Sequence, residues 1–149
     1  MEIGNSTPAT IEVIQQEIVE EFSFLSGDRE SAVFYLMDLG RKLPAMDSAS
    51  KIEENIIKGC QSKVWLTAKH NGQRVFYQAD SNTDITKGLI SLLVRVLSGQ
   101  TTDDILNAEL SFIHDIGMGQ IIGSQRSNGL LAMIKQMKLY ALAFKSKEK

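Results

Sequence analysis

The sequence predicts an α+β fold: helices, then a small antiparallel sheet of three strands, then helices again, with no regular alternation of strand and helix. Three observations carry this. The first forty residues hold apolar side chains at three- and four-residue spacing. Asn71-Gly72 stands between two short β-branched and aromatic runs, the strongest local hairpin signal in the chain. From Ile85 onward the helical period returns and persists nearly to the end.

The elements follow in order. Residues 1 to 7 read as a frayed tail, with Thr7-Pro8 as the start of a helix, threonine capping and proline in the first position. Ile11, Ile14, Ile18, Phe22 and Leu25 then form one apolar stripe, and Glu12, Glu17, Glu20 and Glu21 lie largely off it on a solvated face. Gly27-Asp28 breaks this helix and opens an antiparallel second one, Arg29 to Leu39, which Gly40 ends in the left-handed conformation. Residues 41 to 50, with Pro44, form an irregular connector. Ile56-Ile57 reads as the first strand, Val64 to Ala68 as the second and Arg74 to Ala79 as the third. Asp80-Ser81-Asn82 ends the sheet and caps a helix. Ile85, Leu89, Leu92, Leu93 and Val96, widened by Ile90 and Leu97, make that helix the most buried one, and Ser98-Gly99 stops it. Thr101 with Asp104 resembles a capping box. Gly117, Gly119 and Gly123 space out a flexible connector, which lacks the pattern of a phosphate loop. The last helix carries Leu130, Ile134, Met137, Ala141 and Phe144 on one face, with Ser124 or Ser127 as its cap.

Bulk properties narrow the function. A chain of 149 residues fits one domain spanning 1–149. It buries roughly 68–70% of its extended surface, enough for a core without staples. One cysteine excludes an internal disulfide framework and suits a reducing compartment. A net charge of −2 with no long basic run argues against nucleic acid. No uncharged apolar stretch reaches the length of a membrane span, and the N-terminus lacks the pattern of a signal peptide, so a cytoplasmic location is expected. One cysteine and two scattered histidines, His70 and His114, do not make a four-ligand zinc site. His70 is expected in solvent beside the hairpin, and His114 on the surface or half-buried.

The chemistry gathers at Lys58-Gly59-Cys60-Gln61-Ser62-Lys63-Val64-Trp65-Leu66. A lone cysteine is most often a small buried hydrophobe. Here its neighbours are a glycine and polar side chains, which place it at the tip of a loop carried by the following strand. A thiolate there is a nucleophile. Lys58 and Lys63 are either solvated loop lysines or cations that modestly favour that thiolate.

GCQSKVWL, then Gln78-Ala79-Asp80-Ser81, then KGLI at Lys87 to Ile90, then RSNGL at Arg126 to Leu130, resembles the SufE family, from about Ile18 to Ala141 and with the blocks in the family's order. Lys63 stands where the family would have glutamine. The resemblance implies the fold shared by SufE proteins and IscU-type scaffolds. It implies a sulfur acceptor that takes persulfide sulfur onto Cys60 from a SufS-type, pyridoxal-phosphate cysteine desulfurase, stimulates that enzyme, and passes sulfur to a SufBCD-type scaffold. The chain would bind no cofactor itself, carry only a transient persulfide, and not act as an independent enzyme. The family keeps the cysteine against an apolar pocket. Gly59, Gln61, Ser62 and Trp65 are then supporting residues, Trp65 as a wall of the pocket or an ordinary core aromatic. Arg126 faces the cysteine or the desulfurase; without the resemblance it is a surface arginine near a helix start. The alternatives are an iron–sulfur scaffold, which needs more thiolate ligands than one, a plain interaction domain with an inert cysteine, and a cysteine hydrolase for which no motif is present.

Overall fold

The structure is a computed structural model that describes residues 9–25 and 27–148. The expected tail and the Thr7-Pro8 helix start lie outside the described residues. Helix α1 (Ile11–Ser23) is capped instead by Thr10, whose side chain accepts from Val13 N at 3.2 Å. Ile11, Ile18 and Phe22 are buried as the stripe requires. Gln15 joins them: its amide donates to Glu109 O and accepts from Phe112 N, each at 3.1 Å, so both of its polar ends are satisfied.

Helix α2 (Arg29–Arg41) runs through Gly40. Gly40 is not a left-handed terminator. A Cβ there would lie 2.6 Å from Gly88 N, and a Cβ on Gly88 would collide with the backbone of Leu36. The two glycines let α2 cross α3 (Asp84–Leu97) at backbone contact. Leu89, Ile90, Leu92, Leu93, Val96 and Leu97 of α3 are all buried, as expected of the central helix. Its N-cap is Thr83, with no side-chain cap bond; Asn82 is spent elsewhere. Arg95 of α3 grips Glu21 of α1 with both of its terminal nitrogens, at 2.9 and 2.5 Å, while Tyr35 of α2 donates to the same carboxylate at 2.6 Å. Arginine holds the Glu21 carboxyl below its usual range, and burial with the carboxylate pushes the Tyr35 phenol up to about 12.

The sheet is three-stranded and antiparallel, in the order β1 (Val64–Asn71), β2 (Arg74–Ser81), β3 (Gln100–Thr101). Gly72, at φ 66°, turns the β1–β2 hairpin. The third strand lies after α3, not before the cysteine: Ile56 makes only one isolated bridge, to Trp65. The segment leading to Cys60 is held by two short 3₁₀ turns at Ser48–Ser50 and Glu53–Asn55, a geometry that residue spacing does not announce. Val64, Leu66, Val75, Tyr77 and Ala79 face inward onto the helical layer, and the Tyr77 hydroxyl donates to Met137 O at 2.7 Å.

Helix α4 (Thr102–Asn107) is capped by Thr101, which accepts from Asp104 N at 3.1 Å. A single turn, α5 (Phe112–Asp115), leads to the long α6 (Met118–Lys145). Of the expected glycine connector, Gly117 precedes α6 in the left-handed conformation, at φ 71°, while Gly119 and Gly123 lie inside the helix. Within α6 only Gly123 leaves helical geometry, at φ 84° and ψ 168°, and the helix resumes at Ser124. Ser127 donates to Gly123 O at 2.9 Å and so does not cap an N–H group.

Gly88→Ala is expected to lower unfolding free energy by about 2–3 kcal/mol, because the added methyl meets backbone that cannot step aside. Urea titration checks it. Gly27→Ala meets no atom within 4 Å, and its cost is confined to the strain of a φ of 75°.

Candidate functional site

Cys60 sits in the loop between the Ile56 bridge and β1, against the face of α6 just beyond its break. Both ends of the loop are pinned. On the approach, Ile57 N donates to Val64 O at 2.8 Å. On the exit, Lys63 N donates to Asn82 Oδ1 at 3.0 Å, and Ser81 Oγ donates to Lys63 O at 2.8 Å. Ser62 Oγ lies 2.9 Å from Thr83 Oγ1 and accepts from Thr86 Oγ1 at 3.3 Å, which ties the loop to the start of α3. Gln61 Nε2 donates to Gln125 Oε1 at 3.1 Å, which ties it to α6. Gly59 takes φ 96° in the turn, and a Cβ on it would stand 3.3 Å from Ala132 Cβ.

These restraints lay Cys60 Sγ against Gly129, where the thiol donates to the carbonyl at 3.6 Å. The side chain is half-buried and packs on the hydrophobic core. Burial pushes the thiol pKa up. Of the two readings of Lys58 and Lys63, the exposure of both fits solvated loop lysines, and desolvation decides the direction of the shift. A cavity of about 60 Å³ adjoins the sulfur, lined by Thr86, Leu89, Arg126, Gly129 and Met133 beside Cys60. About 10–15 Å³ of such space is enough to hold a water, so the cavity has room for an added sulfur atom. Gly129 lines it beside the sulfur, and a Cβ there would touch Sγ at 3.5 Å.

Of the residues named from the sequence, Gly59, Gln61, Ser62 and Arg126 meet at this cavity and loop. Arg126 is exposed, and its guanidinium donates weakly to Ile122 O at 3.4 Å. Trp65 does not wall the pocket. Its neighbours Val64 and Leu66 point inward, so alternation turns Trp65 to the opposite face, where Lys51 Nζ stands 5.7 Å from the ring centroid. Lys51 and Lys87 clamp Asp80 there, at 2.5 and 3.2 Å; these cations and the Ser81 N–H hold its carboxyl below its usual range against the opposing effect of burial. His70 is not in solvent: its ring stacks on Phe144 at 4.8 Å and its Nε2 lies 2.6 Å from Glu148. His114 is exposed. Thr83, Thr86, Gln125 and Met133 escaped sequence reasoning, because short polar residues and a helix methionine carry no motif. Among the described residues no cluster of three potential metal ligands exists, and no helix is long and apolar enough to cross a membrane.

A family model described as "SufE: Fe-S metabolism associated domain" matches residues 16–141. The chain belongs to the SufE family. That membership ties it to iron–sulfur metabolism. The SufE-like protein 1, chloroplastic/mitochondrial, of Arabidopsis thaliana is 40% identical over 128 residues, 85% of this chain; the match spans 34% of that longer protein. An uncharacterized SufE-like protein of Synechocystis is 34% identical over 136 residues, covering 91% of this chain and 85% of its own. One of Rhizobium meliloti is 32% identical over 127 residues, 82% and 90%. The solution structure of a hypothetical protein from Thermus thermophilus superposes with a TM-score of 0.71 over 87% of this chain and 94% of that one; at 19% identity this shows the shared fold.

The pH profile of Cys60 alkylation is expected to have its midpoint above that of an ordinary cysteine. The unfolded thiol deprotonates first as pH rises, so the folded state holds the extra proton. The contribution of this group to stability is therefore complete below the ordinary thiol pKa and is lost as pH rises through the raised one. Iodoacetamide rates for folded protein and for protein in urea check both statements; a folded midpoint at or below the unfolded one contradicts them.

Proposed function

We propose that Cys60 is a persulfide acceptor and carrier in iron–sulfur cluster assembly. The observation that carries this reading is the cavity beside a lone, shielded thiol, large enough for one added sulfur. The donor is the persulfide of a SufS-type cysteine desulfurase, whose pyridoxal phosphate stays on that enzyme. The Cys60 thiolate attacks the terminal sulfur; the donor S–S bond breaks, a new one forms, and the donor leaves as thiolate. The proton lost by Cys60 passes to the departing thiolate or to water. No oxidant is consumed, because the sulfane sulfur moves between equivalent thiolates.

Carriage then requires protection. Water and small thiols attack an exposed persulfide, and the wall of Leu89, Met133 and the α6 backbone limits their access. Delivery goes to a SufBCD-type scaffold by the same exchange in the forward direction. One thiolate is too few to hold a cluster, which favours a carrier over a scaffold on this fold. The site of action is cytoplasmic in this proposal.

Arg126 stands at the mouth of the cavity with an always-charged planar fork, suited to a carboxylate or backbone oxygen of the desulfurase.

Cys60→Ser is expected to keep the fold and to abolish sulfur uptake, since a hydroxyl cannot hold a persulfide. Intact-mass spectrometry after incubation with desulfurase and cysteine reads it: wild type gains the mass of sulfur at Cys60. Sulfur reaching a scaffold through the serine variant would overturn the proposal. Arg126→Ala is expected to weaken stimulation of the desulfurase by about 1–2 kcal/mol, roughly 5- to 30-fold. Turnover against protein concentration measures it, with unchanged Cys60 alkylation as control.

A further inference from the structure

The outward face of α6 is the least explained surface of the molecule. The helix from Met118 to Lys145 contains no Asp or Glu, in a chain whose net charge is −2. Its cations are Arg126, Lys135, Lys138 and Lys145. Three leucines on the same helix stand in solvent: Leu131 at 64%, Leu139 at 46% and Leu142 at 53% exposure. Their spacing, with Lys135, places them on one strip of the helix. From Leu131 to Leu142 the strip runs about 16 Å at 1.5 Å per residue. Burial needs do not explain it, because the core face of α6 is already supplied by Leu130, Met133, Met137 and Ala141.

The strip starts at the cysteine loop. Gly59 abuts Ala132, the neighbour of Leu131, and Cys60 abuts Gly129. The charge there is of one sign. Lys58, Lys63, Arg126 and Lys135 are all exposed, and among the described residues none of them has a carboxylate partner. At the far end the field fades, since Lys145 pairs with Asp103 and Lys138 is spent on Ala108 O. On the half of the strip nearest the thiol, Leu131 therefore stands with Lys135, and Lys58, Lys63 and Arg126 flank it at the loop; Leu139 and Leu142 continue the apolar strip beyond.

We propose that this strip, Leu131–Lys135–Leu139–Leu142, is a docking surface for a protein face with an apolar centre and an acidic rim, borne by the desulfurase that loads Cys60. The inference rests on the acceptor reading above and names the surface through which that partner is held. The leucines supply the desolvated contact, and the cations near the thiol set its orientation and encounter rate. Cys60 itself contributes chemistry there, not affinity.

The test separates affinity from chemistry. Binding of purified SufS-type cysteine desulfurase is measured by calorimetry in a Cys60→Ser background. Sulfur transfer is measured in proteins that keep Cys60. Leu131→Asp and Lys135→Glu are each expected to raise Kd at least tenfold, with Cys60 alkylation and thermal melting unchanged. If Leu131→Asp melts early, Leu131→Gln replaces it, with a smaller rise expected. The wild-type Kd is expected to weaken as salt rises. Sulfur uptake with wild-type Kd in every variant overturns the docking surface and leaves the acceptor reading intact. No sulfur on wild-type Cys60 overturns both. Two other occupants are checked with the same variants. If Leu131→Asp abolishes binding to phosphatidylserine vesicles, or abolishes self-association in sedimentation, while the desulfurase Kd holds, the surface belongs to a membrane or to a second copy and the proposal falls.

Discussion

The contact between the cysteine loop and α6 is the constraint on which the site depends. The loop packs closely on the helix at Gly129, where a Cβ would come into contact with the sulfur at 3.5 Å. Its approach is equally narrow: Gly59 turns with a positive φ above Ala132, within reach of one methyl and no more. The break at Gly123 sets where α6 resumes and therefore which residues face the loop. Gln125 and Arg126 follow it at once, one bonded to Gln61 and the other at the cavity mouth. A sulfur-sized space beside a lone thiol is thus a product of two backbone approaches and one helix break. None of these is a catalytic group.

The docked geometry holds the sulfur without activating it. Desolvation raises the thiol pKa, and the Gly129 carbonyl accepts the S–H proton, which favours the neutral form. Lys58 and Lys63 are close in sequence, but their charges spend themselves in water. Shielding and nucleophilicity oppose each other in one pocket: the apolar walls that would protect an added sulfur also suppress the thiolate. A free-standing cysteine enzyme needs the activated thiolate at rest, whereas the proposed carrier would need it only in the presence of its partner.

Much of this is legible in the sequence, and the gaps have physical reasons. The α+β class, the hairpin at Asn71-Gly72, the central burial of α3 and the loop position of Cys60 follow from periodicity and turn chemistry, which are local. The failures are non-local. Gly40 reads as a terminator because a glycine after an apolar run often is one; its use is the crossing with Gly88, forty-eight positions away and invisible to any window. Ile56-Ile57 reads as a strand because two β-branched residues suffice locally, whereas pairing needs a partner, and β2 takes Gln100–Thr101 on its other side. Proximity in sequence puts Trp65 beside the thiol, and strand alternation turns it away. Nearness to the hairpin puts His70 in solvent, and the C-terminal end of the chain covers it.

The same distinction explains how charge is laid out. The acidic residues of α1 and the cations of α6 are each easy to read as solvated faces when taken one helix at a time. Folding gives them different meanings. Glu21 is drawn into the Arg95–Tyr35 network and serves the packing of three helices. Arg126 and Lys135 find no such counterpart among the described residues; Arg126 remains at the cavity beside the thiol and Lys135 on the exposed face of α6. A charge neutralised inside the fold stabilises it; one left beside a reactive group, next to leucines the core does not use, acts on whatever approaches. In this chain the first kind lies on the α1–α3 side and the second borders Cys60, so the electrostatic asymmetry of the molecule coincides with the position of its one thiol.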